Sequence, residues 1–341
     1  MATVTIKDIA RLAGVSLATV SRALNNAPGV GKETQERILA LCRQYGYRAN
    51  RLAQGLSVNR TGIIGCILPG LDNSLFAEMT LIIEQLAREH DYHVMLCRGR
   101  VEDPHISRLF DYLIGHRVEA IVLFSSSRQA PALIRRYIGR VPIVLQGSLM
   151  PSDSLPPVPV VGTDNEGGGK IAAEYLFRLG HRKVAYLGAQ DRNASHALRY
   201  KSFLKTAQQL GMSVQLLFND SLYSSVEVGH RLAKQFFFQN FQETAIFASC
   251  DNIAMGVMAA AKEFHISIPE ELSLIGFDNI GYASLPNVHL TTFDPDSRKI
   301  LETVLECLIE AISSPDIVKP CLRLIPPTLV ERSTCQPHRL G

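Results

Sequence analysis

Thr5-Ile-Lys-Asp-Ile-Ala-Arg-Leu-Ala-Gly14-Val-Ser16-Leu-Ala-Thr-Val20-Ser-Arg22-Ala-Leu24-Asn25 decides how the 341-residue chain begins. Two short helical patterns meet at Gly14, and the second opens on Ser16. Thr5 can cap the first helix, with Asp8 three residues on to complete a capping box. Ile6, Ile9, Ala10 and Ala13 share one face. Gly14 stands where a chain enters the left-handed conformation after a helix. Ser16 then caps the second helix, Val20 and Leu24 point to the core, and Leu17, Ala18, Ser21 and Arg22 are left on the outer face. A third helix is predicted over Lys32–Tyr45, with Ile38 and Leu41 inward and Gly46 as its stop. This is a helix-turn-helix, whose second helix is built to enter a major groove.

Charge separates this reading from a plain three-helix bundle. Residues 1–60 hold nine Lys/Arg against three acids, a surplus of six; the whole chain is +3, so residues 61–341 carry −3. A basic module on a slightly acidic body is an electrostatic footprint for phosphate.

From Thr61 the pattern changes to short apolar runs alternating with amphipathic helices. Strands are predicted at Ile63–Leu68, Tyr92–Cys97, Ala120–Phe124 and Ile143–Leu145, with helices Phe76–Glu89, Ile106–Gly115 and Pro131–Ile138 between them. A second series is predicted to open near Val160. It runs through helix Gly168–Leu179, strand Lys183–Leu187, helix Tyr200–Leu210, strand Gln215–Phe218, helix Val226–Asn240, strand Ala245–Ala248, helix Ala254–Phe264 and strand Leu272–Phe277. Such alternation means parallel sheets covered by helices on both faces. Leu290–Phe293 and helix Ser297–Ile312 return to the first half, and residues near 323–332 add a last strand to the second. Two open α/β sheets place a cleft at the carboxyl ends of their strands.

At the head and along the body the chain resembles the LacI/GalR family of bacterial transcription regulators. The resemblance is carried by Thr5–Asn25, Glu36-Arg37-Ile38, Gly46-Tyr-Arg-Ala-Asn50 and Leu52-Ala-Gln-Gly-Leu56. It continues in Val161-Gly-Thr-Asp-Asn-Glu-Gly-Gly168, Leu179-Gly-His-Arg182, Ala248-Ser-Cys-Asp251, Ala254-Met-Gly256, Ile268–Asn279 and Leu290-Thr-Thr292, in the family's order. The resemblance implies an all-α helix-turn-helix head on a periplasmic-binding-protein-like α/β body of two doubly wound parallel-sheet subdomains. The expected division is a DNA-binding domain at 1–49, a hinge at 50–61 and an effector and dimerisation domain at 62–341. Within the last, an N-subdomain covers about 62–160 plus 293–321, and a C-subdomain about 161–292 plus 322–341. DNA contacts are expected from Thr5, Ser16, Leu17, Ala18, Thr19, Ser21, Arg22, Asn25, Tyr47, Asn50, Ala53 and Leu56. The family's hinge folds on operator DNA and pushes a Leu into the minor groove; the match is Leu56.

Effector contacts are expected on loops after strands. Asp72 and Asn73 can bind hydroxyls and Phe76 offers a flat apolar face; the same residues also read as a helix N-cap and a core Phe. Gln146, Arg192, Arg199, Asp251 and Asp278 complete the set. An Asp and an Arg opposed across a cleft suit a polyol, and the resemblance supports Arg199 and Asp278 best. Asp251 has a second reading as cap of the helix from Ala254. Gln146 stands where many sugar-binding members carry Asp or Asn, and Cys250 where several carry Asn or Ser.

Enzyme motifs fail on inspection. Gly167-Gly-Gly-Lys170 is not a Walker A, which needs Gly-x-x-x-x-Gly-Lys-[Ser/Thr]. His90-Asp-Tyr-His93 lies at a helix-to-strand junction and reads as solvated. No catalytic constellation and no cofactor are expected. Seven cysteines without a CxxC pair read as reduced, mostly buried thiols of a cytosolic protein. No apolar run is long enough for a membrane span and no signal peptide is visible, so a cytoplasmic, nucleoid-associated location is expected. The predicted function is a repressor of a carbohydrate operon. It binds a pseudo-palindromic double-stranded operator as a homodimer, and a sugar or sugar acid controls it. A purine-responsive regulator, and a solute-binding or sugar-processing protein on the same core, are the alternatives; only the last would lack steeply salt-dependent DNA binding.

Overall fold

The computed structural model describes residues 4–24, 28–47, 60–189, 193–219, 224–314 and 319–338. Contacts divide the chain into two units, residues 1–62 and 63–341.

In the first unit, α1 (Ile6–Ala13), α2 (Leu17–Leu24) and α3 (Lys32–Gln44) enclose a small core. The capping box forms: Asp8 N–H donates to Thr5 Oγ1 (3.4 Å) and Thr5 N–H to Asp8 Oδ2 (3.0 Å). Gly14 takes φ 63°, and Val15 N–H reaches back to the Ala10 carbonyl (3.1 Å). Ser16 Oγ accepts from Thr19 N–H (3.1 Å) to start α2. Ile9, Val20 and Ile38 are fully buried. Leu41, expected inward, is only half-buried, and Cys42 takes the deeper place on α3.

The second unit holds two parallel sheets. Strands β1 (Ile63–Leu68), β2 (His93–Arg98), β3 (Ala120–Phe124), β4 (Ile143–Gln146) and β5 (Val160–Thr163) join β11 (Leu322–Ile325) in the order β11-β5-β4-β3-β1-β2. Helices α4 (Ser74–Glu89) and α11 (Ser297–Ser313) cover one face, and α5 (Ile106–Gly115) and α6 (Ala130–Arg135) the other. The period of two is plain on β3. Ala120, Val122 and Phe124 pack toward α4 and α11, whereas Ile121 and Leu123 pack toward α5 and α6.

The second sheet has the order β7-β6-β8-β9, with β6 at Lys183–Ala189, β7 at Ser213–Asn219, β8 at Ala245–Ala248 and β9 at Ser273–Ile275. Helices α7 (Asn165–Arg178) and α8 (Ala194–Gln209) cover one face, and α9 (Val226–Phe237) and α10 (Asp251–Glu263) the other. A two-stranded antiparallel ribbon pairs β10 (Thr292–Asp294) with β12 (Thr328–Val330).

Two expectations are corrected by strand pairing. β5 does not open the second sheet. It pairs with β4 and β11 inside the first. The single strand expected over 323–332 is split: β11 forms an edge of the first sheet, and only β12 turns to the ribbon. Pro326 and Pro327 force the break, since neither can donate to a ladder. The chain therefore passes between the halves after β5, after β10 and between β11 and β12, so the first half ends later in sequence than expected.

Two of the three glycines of the rejected phosphate-loop reading, Gly168 and Gly169, pack against other elements, while Gly167 meets the cap residue Asp164 of its own helix. A Cβ on Gly169 would lie 2.2 Å from the Arg199 carbonyl oxygen, and one on Gly168 2.7 Å from the Phe277 ring. The run lets α7 approach α8 and seats Arg199 at that crossing.

Candidate functional sites: an exposed recognition face and a polar cleft

On α2, Leu17 is 44% exposed. Ala18 and Arg22 are also exposed, while Thr19 and Ser21 are half-buried. The outer face thus offers two apolar contacts and one guanidinium, which can fork onto guanine O6 and N7. Thr5 and Ser16 serve as caps; their hydroxyls are engaged by Asp8 Oδ2 (2.7 Å) and Thr19 Oγ1 (2.9 Å). Tyr47 packs against the small core. Asn25, Asn50, Ala53 and Leu56 lie outside the described residues.

The carboxyl ends of both sheets line a cavity of about 200 Å³. Asp72, Asn73, Phe76, Gln146, Arg199 and Asp278 all line it. Arg192 lies outside the described residues. Asp251 is a correction: it does not line the cavity and is fully buried. Its carboxylate accepts from Ile280 N–H (2.9 Å) and Thr292 Oγ–H (2.5 Å), fastening the loop after β9. Helix α10 begins at Asp251 itself, so Asp251 is no cap for a helix from Ala254. Asn73 does cap α4, accepting from Leu75 N–H at 3.0 Å. Phe76 stands edge-on to Phe124, with ring centroids 6.5 Å apart, while also lining the cavity. Asn73 and Phe76 thus have structural partners and also border the cavity.

Arg199 is the centre of the cleft. It is 5% exposed, and its Nε donates to Asn165 Oδ1 (2.6 Å) and its Nη1 to the Ser249 carbonyl (2.7 Å). Nη2 stands 3.5 Å from Asp278 Oδ1, and the Phe277 ring lies 3.5 Å from the guanidinium carbon. Every nitrogen of the fork has a partner, which fixes its plane. Asp278 sits at φ 113°, a conformation that costs an L-residue about 1–3 kcal/mol and clusters at functional sites. Burial pushes the Asp278 carboxyl up to about 6, against the lowering pull of Arg199 and with Glu78 adding to the rise.

A chain of hydroxyls crosses the cleft. Ser126 after β3 meets Ser195 on α8 (2.7 Å); Ser195 donates to Ser148 after β4 (3.0 Å); Asn165 Nδ2 donates to Ser148 (2.8 Å). Sequence reading passed over these residues, although Ser125-Ser126-Ser127 directly follows a strand and satisfied the rule applied to Gln146. All seven thiols are free and five of them are buried.

A pH prediction follows for Asp278. A carboxyl raised on folding binds more protons in the native state between its ordinary value and about 6. Stability from this group is therefore full below the unfolded value and is lost as pH rises through about 6. Asp251, also raised by burial, acts in the same direction. Urea unfolding from pH 4 to 7 should show Asp278→Asn with a flatter stability profile than wild type; parallel profiles would rule out this titration.

A helix-turn-helix unit and a two-lobed α/β unit with a polar cleft define the class of one-chain transcription regulators. Comparison agrees. The model described as "Bacterial regulatory proteins, lacI family" matches residues 5–50, and that of a periplasmic binding protein-like domain matches residues 173–335. The regulator GalS of Salmonella typhimurium is 29% identical over 331 residues, covering 96% of each chain. Catabolite control protein A of Priestia megaterium is 29% identical over 294 residues, covering 85% of this chain and 86% of that one. The ribose operon repressor of Escherichia coli is 25% identical over 333 residues, covering 97% of this chain and 99% of that one. The lac repressor dimer bound to operator has the same fold, with TM-score 0.86 at 24% identity over 98% of this chain and 100% of that one. The chain belongs to the LacI family of DNA-binding transcription regulators. No helix among the described residues is long and apolar enough to cross a membrane.

Proposed function

We propose that this protein is a repressor of a carbohydrate-utilisation operon, controlled by a small carbohydrate bound in the cleft of its larger unit. The observation that carries this reading is the tethered Arg199–Asp278 pair, set among hydroxyls and beside Phe76 in one cavity. A fixed fork, a carboxylate and a flat apolar face are what a sugar ring requires. The similarity to the ribose operon repressor of Escherichia coli supports the class. Two heads act together on a pseudo-palindromic operator, because one short recognition helix reads too few base pairs. The effector shifts operator affinity only through its different affinity for two arrangements of the dimer.

The test is operator binding by fluorescence anisotropy, with and without candidate sugars. Arg22→Ala should cost about 1–3 kcal/mol and relax preference at one base pair; uniform weakening across sequences would make Arg22 a phosphate contact instead. Leu56→Ala should weaken specific operator binding while leaving effector affinity of the DNA-free protein unchanged. Wild-type operator affinity in that variant would remove the minor-groove wedge. Response to a purine nucleobase and to no sugar would favour a purine-responsive regulator instead; the transcriptional repressor PurR of Histophilus somni is 26% identical.

A further inference from the structure

His196 lies on the first turn of α8, lines the cavity and is 8% exposed. Its backbone is engaged, N–H donating to Asn193 Oδ1 at 3.3 Å. Its ring is not: buried Nδ1 has no hydrogen-bond partner. An unsatisfied buried polar atom costs about 1–3 kcal/mol, and such atoms in native proteins call for an explanation such as a bound molecule. Desolvation, with Arg199 nearby, pushes the imidazole down to about 3, so the ring is neutral and keeps both a donor and an acceptor.

The charges around the cavity narrow the ligand. Among the described lining residues, Asp72, Glu102 and Asp278 supply three carboxylates against the two guanidiniums of Arg100 and Arg199. Arg199 is already engaged by Asn165, Ser249 and Asp278. A surplus of carboxylate repels a sugar acid or sugar phosphate. Hydroxyls suit a neutral donor–acceptor ring, and the Gln146 amide, 9% exposed, also lines the cavity.

Building on the carbohydrate reading above, we infer that His196 is a specificity-determining residue, hydrogen-bonding through its ring to a hydroxyl of an uncharged polyol. The test uses the full chain and titration calorimetry with D-ribose, D-galactose and cellobiose as neutral probes. D-gluconate, D-galacturonate and glucose 6-phosphate are the charged ones. His196→Phe keeps a flat buried side chain and removes both nitrogens. It should raise the Kd of the best neutral probe at least tenfold, and His196→Asn or His196→Gln should recover part of that loss. Without ligand, His196→Phe should melt at or above wild type, because an unpaired buried nitrogen is gone; a structural histidine would give a lower melting temperature in all three variants. Unchanged affinity in the Phe and Asn variants overturns the inference, leaving Nδ1 to water. Tightest binding of a charged probe overturns the uncharged class. Wild type silent to every probe, in calorimetry and operator release, overturns the carbohydrate reading itself; wild type that responds while its His196 variants match it overturns only this step.

Discussion

Gly256→Val should destabilise the larger unit by about 3 kcal/mol or more, at or above the usual ceiling for an overpacked site. A Cβ there would lie 2.2 Å from the Val226 carbonyl oxygen and 2.3 Å from the His230 nitrogen, both backbone atoms of α9. Side chains can rotate away from an added methyl group, but a helix backbone can yield only if α9 and α10 separate. Their seam encloses Val228, Leu232, Ile253 and Val257. For a unit of this size each kcal/mol lowers the midpoint by roughly 2–4 °C, so a drop of about 6–12 °C is expected in a circular dichroism melt. Gly115→Ala is the control: nothing lies within 4 Å of its Cβ position, and its backbone is not in the left-handed region. That change should be neutral or slightly stabilising. A Gly256→Val midpoint within 2 °C of wild type, where about 6 °C is the least expected, would mean that the crossing is not rigid.

That glycine was visible in sequence only as part of a family signature, and the contrast is instructive. Features determined by neighbours in the chain were legible. Thr5 and Asp8 cap α1, Gly14 turns left-handed, and helix Ile106–Gly115 and strands Ala120–Phe124 and Ala245–Ala248 stand where periodicity put them. Features determined by partners far along the chain were not. The apolar run at Val160 reads equally well as the last strand of one sheet or the first of another, and only its pairing with β4 and β11 decides. The site divides in the same way. Arg199 and Asp278 were found by motif and do stand together at 3.5 Å. Asp251 belongs to the same motif class, yet Ile280 and Thr292 take up its carboxylate. Ser148, Ser195 and His196 carry no motif, and only folding brings Ser148 to the Ser195-His196 pair.

Arg199→Met should be the most damaging single change in the cleft, and its partner shows why. Removing the guanidinium leaves Asp278, 8% exposed, without its ion-pair partner, and strips Asn165 Oδ1 and the Ser249 carbonyl of their donors. Breaking a buried pair from one side costs about 3–5 kcal/mol; burial already pushes the Asp278 carboxyl up to about 6 with Arg199 pulling it down, so without the guanidinium the carboxyl rises further and must take up a proton to stay buried. Asp278→Asn is milder. Arg199 keeps Asn165 and Ser249, and Asn tolerates the positive φ that Asp278 adopts. The double variant should then be more stable than Arg199→Met alone, since the buried Asp278 carboxyl, which would have to take up a proton there, is gone. That sign in a double-mutant cycle is characteristic of a buried charge pair and is not produced by two independent packing losses. Urea unfolding at pH 7 supplies the stabilities, and calorimetry with the responsive sugar supplies the second axis. Effector binding should be lost in the double variant even where stability returns, because the fork and the carboxylate are both absent. Additive stabilities would show that the pair does not couple, and retained effector binding in a folded double variant would remove Arg199 and Asp278 from the effector site.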